Sequence, residues 1–222
     1  MTAHAYRGID PASSAVLSMD CQNGIVSFYT KAEHATNPKQ PAGSTEPPPL
    51  VQRAASVLKH ARRAGMRVIY VRVGFRPNLP EISGRNLLFS AIKGSAQHQK
   101  LFQGAAGEIH ADLGPEADDV VVVKHRTSAF AGTDLEMILR ANDIETLVLF
   151  GIATSGVVLA TLLDAVDADY RVIVVKDCCG DLDPEVHTCL VDKVFPRYAI
   201  VVSAEEFLGA KQPKRTGSKP SS

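Results

Sequence analysis

The 222-residue sequence predicts an α/β protein, a doubly wound three-layer fold around a central, mostly parallel sheet of about six strands. Two observations carry this expectation. Short β-branched runs alternate with amphipathic stretches along most of the chain, as repeated βαβ units require. The length suits one large α/β domain or at most two small ones, and 45% hydrophobic residues supply a core that needs no disulfide or metal staple.

Residues 15–19 (AVLSM) form the first expected strand, which ends on Asp20. Residues 50–63 (LVQRAASVLKHARR) space their apolar side chains as a helix that Gly65 stops. Residues 67–73 (RVIYVRV) supply the second strand, and the β-branched run 120–123 a buried third, ending on Lys124. A helix is expected over 133–141, capped by Thr133, with Glu136 three residues on at capping-box spacing. Residues 146–150 (TLVLF) make the fourth strand, and after a turn a helix runs from about 156 to 168. Residues 171–175 (RVIVV) and 199–202 (AIVV) complete the six, separated by a helix beginning near Pro184.

Two segments break the alternation. Residues 30–49 are polar and Pro-rich, longer than the roughly 2–6 residues usual between α/β elements, and are expected to be a disordered insert or a lid. Residues 74–113, with Arg76, Pro77, Asn78 and Pro80, form an excursion beside the site. The expected organisation is an arm over 1–12, the domain over 13–209 with its 30–49 insert, and a basic, Pro- and Ser-containing disordered tail over 210–222.

Basic and acidic side chains balance at 24 each, which argues against nucleic acid or a membrane as partner and leaves a small-molecule substrate. The four cysteines (Cys21, Cys178, Cys179, Cys189) show neither a secreted framework nor metal-ligand spacing, so reduced thiols and a cytoplasmic location are expected. The N-terminus lacks the basic and apolar regions of an export signal, and no run has the length of a membrane span.

Ligands of open α/β sheets bind beyond the carboxyl ends of the strands. Asp20, Lys124 and the turn 151–156 (GIATSG) all fall there. A carboxylate and an ammonium ending buried strands, beside amides that open a helix, can form a proton-transfer pair and an oxyanion-type donor set. The alternative, with Asp20 capping a turn and Lys124 solvated at a strand end, is about as common.

The stretches SMDCQNGIV (18–26), VVVKHRTSAFAGTDLEMIL (121–139) and LVLFGIATSGVVLATLLDAVDADYRVIVVKDCC (147–179) resemble the isochorismatase-like hydrolases, or cysteine hydrolase superfamily. The match runs in the expected order and spacing from residue 15 to about 202. The resemblance implies a parallel, helix-flanked sheet and a catalytic set of Asp at the end of the first strand, Lys at the end of the third and Cys at the helix start after the fourth. The first two positions are Asp20 and Lys124; the third, counted through GIATxxC, is Val157.

An isopropyl group can neither attack a carbonyl nor carry a proton, so covalent cysteine hydrolysis at Val157 is excluded. The Asp-x-His metal motif of the family's nicotinamidases is absent from 71–76 (VRVGFR), and no metal or other cofactor is expected. Isochorismatases in the family carry a non-nucleophilic residue at the Cys position and keep the Asp, because vinyl ether cleavage needs an acid and water rather than a thiolate. By that resemblance Asp20 is the general acid and Lys124 holds water or a substrate oxygen. Amides around Ser155 to Val157, in the turn with Thr154 and Gly156, face the polar end of the ligand. Lys124 lowers the Asp20 pKa whereas acid catalysis near neutrality wants it raised, so burial must outweigh the pair.

Arg72 and Arg76 are candidates to grip a substrate carboxylate, although each taken alone is more often a solvated charge. Gln22 and Asn23 are expected to orient the Asp20 carboxylate or cap the loop, with Gln22 also expected among the substrate-binding residues; Phe130 walls the pocket or sits in the core. Ser155 is more often a helix cap than a replacement nucleophile. Strand alternation points Cys21 away from Asp20 and His125 away from Lys124, Cys178 and Cys179 read as buried thiols, and His187 has no second ligand at a helical interval.

Two functions compete: a hydrolase of a small carboxylated metabolite, with isochorismate conversion to pyruvate and a dihydrodiol as the named reaction, and a ligand-binding pseudoenzyme on the same fold. Val157→Cys is expected to restore the family's triad and weak amidase or esterase activity. A homodimer or homotetramer is implied by the resemblance alone.

Overall fold

The computed structural model describes residues 9–36 and 49–209. Its centre is a six-stranded sheet in the order β3-β2-β1-β4-β5-β6, built from β1 (Ser14–Met19), β2 (Arg67–Val73), β3 (Val120–Lys124), β4 (Thr146–Gly151), β5 (Arg171–Val175) and β6 (Ile200–Val202). Every neighbouring pair is parallel, and helices cover both faces. Burial on two faces explains the unbroken apolar runs: β1 and β4 are buried at every position.

The helices are α1 (Asn23–Thr36), α2 (Pro49–Ala64), α3 (Leu87–Lys93), α4 (Ala96–Lys100), α5 (Leu135–Ala141), α6 (Leu159–Asp167), α7 (Pro184–Cys189) and α8 (Ala204–Gly209). Helix α2 shows how sequence selects element: Val51, Ala54, Val57, Leu58 and Ala61 recur on one face and are fully buried, while Arg62 and Arg63 close its last turn, where the helix dipole favours cations.

Several boundaries differ from the sequence expectation, each for a physical reason. Helix α1 runs to Thr36, into the segment expected to be an insert or lid, because its Val26 is buried and Ile25 and Tyr29 pack against the core; the prolines begin only at Pro38. The rest of that insert, 37–48, and the tail, 210–222, lie outside the described residues. Of the arm expected over 1–12, residues 1–8 lie outside the described residues, and Ile9 is buried in the core. Helix α5 begins two residues late and without the capping box: Thr133 Oγ1 accepts from Leu135 N–H, while Glu136 turns to Arg140 at 2.7 Å. The helix expected from 156 is a π-helical turn over Thr154–Val158 that leads into α6.

The strand order reverses direction between β1 and β4, and that switch point places the crevice at the carboxyl ends of these two strands. The backbones close tightly there. A Cβ on Gly151 would lie 2.1 Å from the Met19 carbonyl oxygen, so only glycine lets the end of β4 lie against β1.

Candidate active site

Asp20 follows β1 with φ +57°, in the left-handed region that Asp tolerates better than most residues. Its N–H donates to Val71 O at 2.8 Å, which seats it over the end of β2. Lys124 lies two strands away, opposite Val73 in register, and reaches across to place Nζ 2.9 Å from Asp20 Oδ2. The pair that the sequence suggested is therefore assembled, and it is deeply buried: Asp20 is 5% exposed and Lys124 2%.

Lys124 Nζ also donates to Arg126 O at 2.8 Å and Thr127 O at 3.1 Å. All three ammonium protons are thus committed, and none remains for the water or substrate oxygen that the sequence reading assigned to Lys124. The alternative reading of a solvated strand end fails as well. On the carboxylate, Oδ2 is engaged and Oδ1 is buried without a hydrogen-bond partner. Burial pushes the Asp20 carboxyl up to about 6, against the opposing pull of the Lys124 charge and hydrogen bond. Desolvation wins the contest that the sequence left open.

Met19 and Gly151 are paired in register, so Asp20 and Ile152 leave the sheet side by side, and Ile152 N–H donates to Met19 O at 3.2 Å. The Ile152–Ala153 peptide is cis. Beyond it the π-helical turn carries Thr154, Ser155, Gly156 and Val157. Thr154 is fully buried, its N–H donates to Gly180 O at 2.8 Å, and its Oγ1 lies 2.8 Å from His187 Nδ1. Ser155 N–H donates to Asp181 Oδ2 at 2.7 Å and Gly156 N–H to Ala153 O at 3.2 Å. These two amides were expected to face a ligand; in the structure protein oxygens already occupy them. Val157 is 3% exposed and lies in the main core.

Gln22 is a brace. Its Nε2 donates to Val73 O (3.0 Å) and Gly107 O (2.8 Å), and its Oε1 accepts from Val73 N–H (2.7 Å). These bonds tie it to the backbone at Val73 and Gly107, so its amide is engaged by the protein and not by a substrate as the sequence reading had it. The excursion over 74–113 returns beside the site as expected, with Asn23 N–H donating to Glu108 O at 2.9 Å and His110 N–H to Cys21 O at 3.0 Å. Arg72 Nη1 donates to Gly107 O at 3.0 Å and lies 3.7 Å from Glu108 Oε1. Arg76 lies further out on the excursion, mostly exposed, 3.8 Å from Glu81.

Phe130 packs half-buried against the main core, its ring 6.1 Å from that of Tyr170, the residue before β5. The buried cysteines are no substitute for the missing thiol, because burial pushes Cys21 and Cys179 up to about 12 and Cys178 higher still. Cys21 is buried, with Sγ donating to Met19 O at 3.5 Å. Among the described residues, no group of three His, Cys, Asp or Glu side chains is arranged to hold a metal ion.

Sequence reasoning passed over Asp181 and set His187 aside for want of a metal partner. The Asp183–Pro184 start of α7 marks the helix that carries His187 back to the turn after β4, and Asp183 Oδ1 caps that helix by accepting from Glu185 and Val186 N–H.

A family model described as the isochorismatase domain matches residues 14–206. YecD, an isochorismatase family protein of Escherichia coli O157:H7, is 28% identical over 202 residues, covering 91% of this chain and 98% of its own. Maleamate amidohydrolase of Pseudomonas putida KT2440 is 28% identical over 157 residues, covering 70% and 71%. Among solved structures, an isochorismatase family protein of Burkholderia thailandensis superposes with a TM-score of 0.70 at 26% identity, covering 91% of this chain and 96% of that one.

Proposed function

Since the chain belongs to the isochorismatase family of hydrolases, we propose that it hydrolyses a small carboxylated metabolite by proton donation from Asp20, with no covalent enzyme intermediate. The observation that carries this reading is the buried Asp20 carboxyl, raised to about 6 and with Oδ1 free of partners. A carboxyl held partly protonated near neutral pH is what general acid catalysis asks for. The maleamate of one relative's name supports a small substrate that bears a carboxylate.

The named candidate is the vinyl ether of isochorismate. In this reading the π electrons of the enolpyruvyl group take the Asp20 proton at the terminal methylene carbon, leaving an oxocarbenium ion. Water adds to that ion and returns a proton to Asp20, and the hemiketal collapses to pyruvate and the dihydrodiol. Lys124, saturated by Asp20 and two carbonyls, fixes the carboxyl and stabilises its anion between the two proton transfers. An amide route through an acyl-enzyme has no thiol at Val157 with which to begin.

A ligand-binding protein without turnover is the second reading. It draws on the low exposure of Asp20, Lys124 and Val157 and on the amides already closed by Asp181 and Ala153. Iodoacetamide separates thiol chemistry from acid chemistry, because exposed Cys189 accepts the label while Cys21, Cys178 and Cys179 are buried. Pyruvate release from isochorismate is expected to be the same before and after alkylation; loss of turnover would overturn the acid mechanism, and no turnover in either sample would favour the binding protein.

A further inference from the structure

We infer a second ligand site in the 74–113 excursion, one that takes a small anion with a flat, unsaturated body, such as an aromatic carboxylate. The excursion encloses a cavity of about 570 Å³, within the range of small-molecule sites. Neither Asp20 nor Lys124 lines it, so the inference stands apart from the acid mechanism. It is nonetheless close to the sheet end: Gly74 N–H donates to Lys124 O at 3.1 Å, and Phe75, the next residue, lines the cavity.

Three features define the ligand. The walls include Phe75 and Phe102, packed edge to face with centroids 5.4 Å apart, which offer flat apolar surface. Two cations, Arg76 and Lys93, line the same space with no acidic side chain among the lining residues. Glu81 engages only part of Arg76, with Nη1 at 3.8 Å, and Lys93 Nζ donates to Leu79 O (3.2 Å) and Ile82 O (3.3 Å), which leaves a third proton on the ammonium. Asn78 and Gln99 add amide groups to the lining.

The wall is also held in shape. Leu79 is buried in the left-handed region at φ +52°, where a bulky side chain is strained, and Lys93 grips its carbonyl. Gln99 Nε2 in turn donates to Lys93 O at 2.8 Å, tying α4 to the end of α3. A cavity lined by a guanidinium and two rings fits a planar carboxylate better than a compact tetrahedral anion.

Calorimetric titration of the full chain with benzoate tests the site, with benzamide and inorganic phosphate as comparison ligands. Benzoate is expected to bind saturably, benzamide about tenfold more weakly or less for want of the charge, and phosphate more weakly than benzoate. Arg76→Gln, on an exposed side chain, and Phe102→Leu, as an independent variant, are each expected to weaken benzoate about tenfold. Asp20→Asn is expected to bind benzoate as wild type does. No saturable benzoate binding at millimolar concentration, tighter binding of phosphate, equal binding by wild type and Arg76→Gln, or loss of binding in Asp20→Asn would each overturn the assignment.

Discussion

At the scale of single residues, Asp20 carries the chemistry and its titration is the handle on it. The acid must be protonated to act, so kcat/KM is expected to fall as pH rises through about 6, with the limb absent from any variant that lacks the carboxyl. A flat profile from pH 5 to 8, roughly the range that brackets this group, would remove Asp20 from the acid role. Stability follows with its own sign. The folded-state pKa lies above the ordinary value of 3.8, so the native state binds the proton more tightly than the unfolded chain does. Stability contributed by this group is full below about 4 and declines as pH rises toward 6. Asp20→Asn, which imitates the protonated form, is therefore expected to gain in melting temperature relative to wild type between pH 4 and pH 8; a relative loss over that range would contradict the burial argument. That Asp20 and Lys124 stand at the carboxyl ends of two strands could be read from the sequence. Which of burial and ion pairing prevails could not, because both depend on neighbours far apart in the chain. Val157 makes the complementary case. Its place in the GIATxxC spacing needs no coordinates, and Val157→Cys is expected to acquire weak, iodoacetamide-sensitive hydrolysis of small amides or esters; complete inactivity would mean that the turn no longer presents that position to a substrate.

At the scale of elements, the site is held by loops that lock onto backbone. Gln22 joins the end of β2 to the returning excursion through three hydrogen bonds, all inside the protein. Gln22→Ala leaves Val73 N–H and two carbonyls without that partner and is expected to cost about 2–4 kcal/mol. For a chain of this length that lowers the melting temperature by roughly 5–10 °C, and a loss under about 1 °C in a thermal melt would show that the brace is dispensable. The strands were found readily because burial on both faces writes them as continuous β-branched runs, and β2 and β5 match their expected bounds at both ends. Helix α1 was missed because its apolar face is short and its polar half resembles the Pro-rich stretch that follows. The π-helical turn was read as the start of α6, since side-chain periodicity does not separate a π turn from the first turn of an α-helix. The link from Thr154 to His187 spans 33 positions and leaves no local mark on the sequence.

At the scale of the whole molecule, strand order does the work of assembly. With β1 and β4 adjacent at the centre and their crossovers running to opposite sides, residues 20 and 151–157, far apart in the chain, meet at one rim, and β3 supplies Lys124 from the sheet edge. Alternating runs foretell a wound sheet, and the place where its order reverses follows once the first strand is central. The expectations that failed concern what fills the crevice: the Lys124 donors and two of the turn amides are engaged by the protein itself. Such outcomes turn on side-chain partners rather than on pattern. The central claim is proton donation from Asp20 without a covalent nucleophile, and the most direct test is pyruvate release from isochorismate, coupled to lactate dehydrogenase, by wild-type protein beside Asp20→Asn. Release by wild type that disappears in the variant is the predicted result; no release by wild type, or equal release by both, would contradict it.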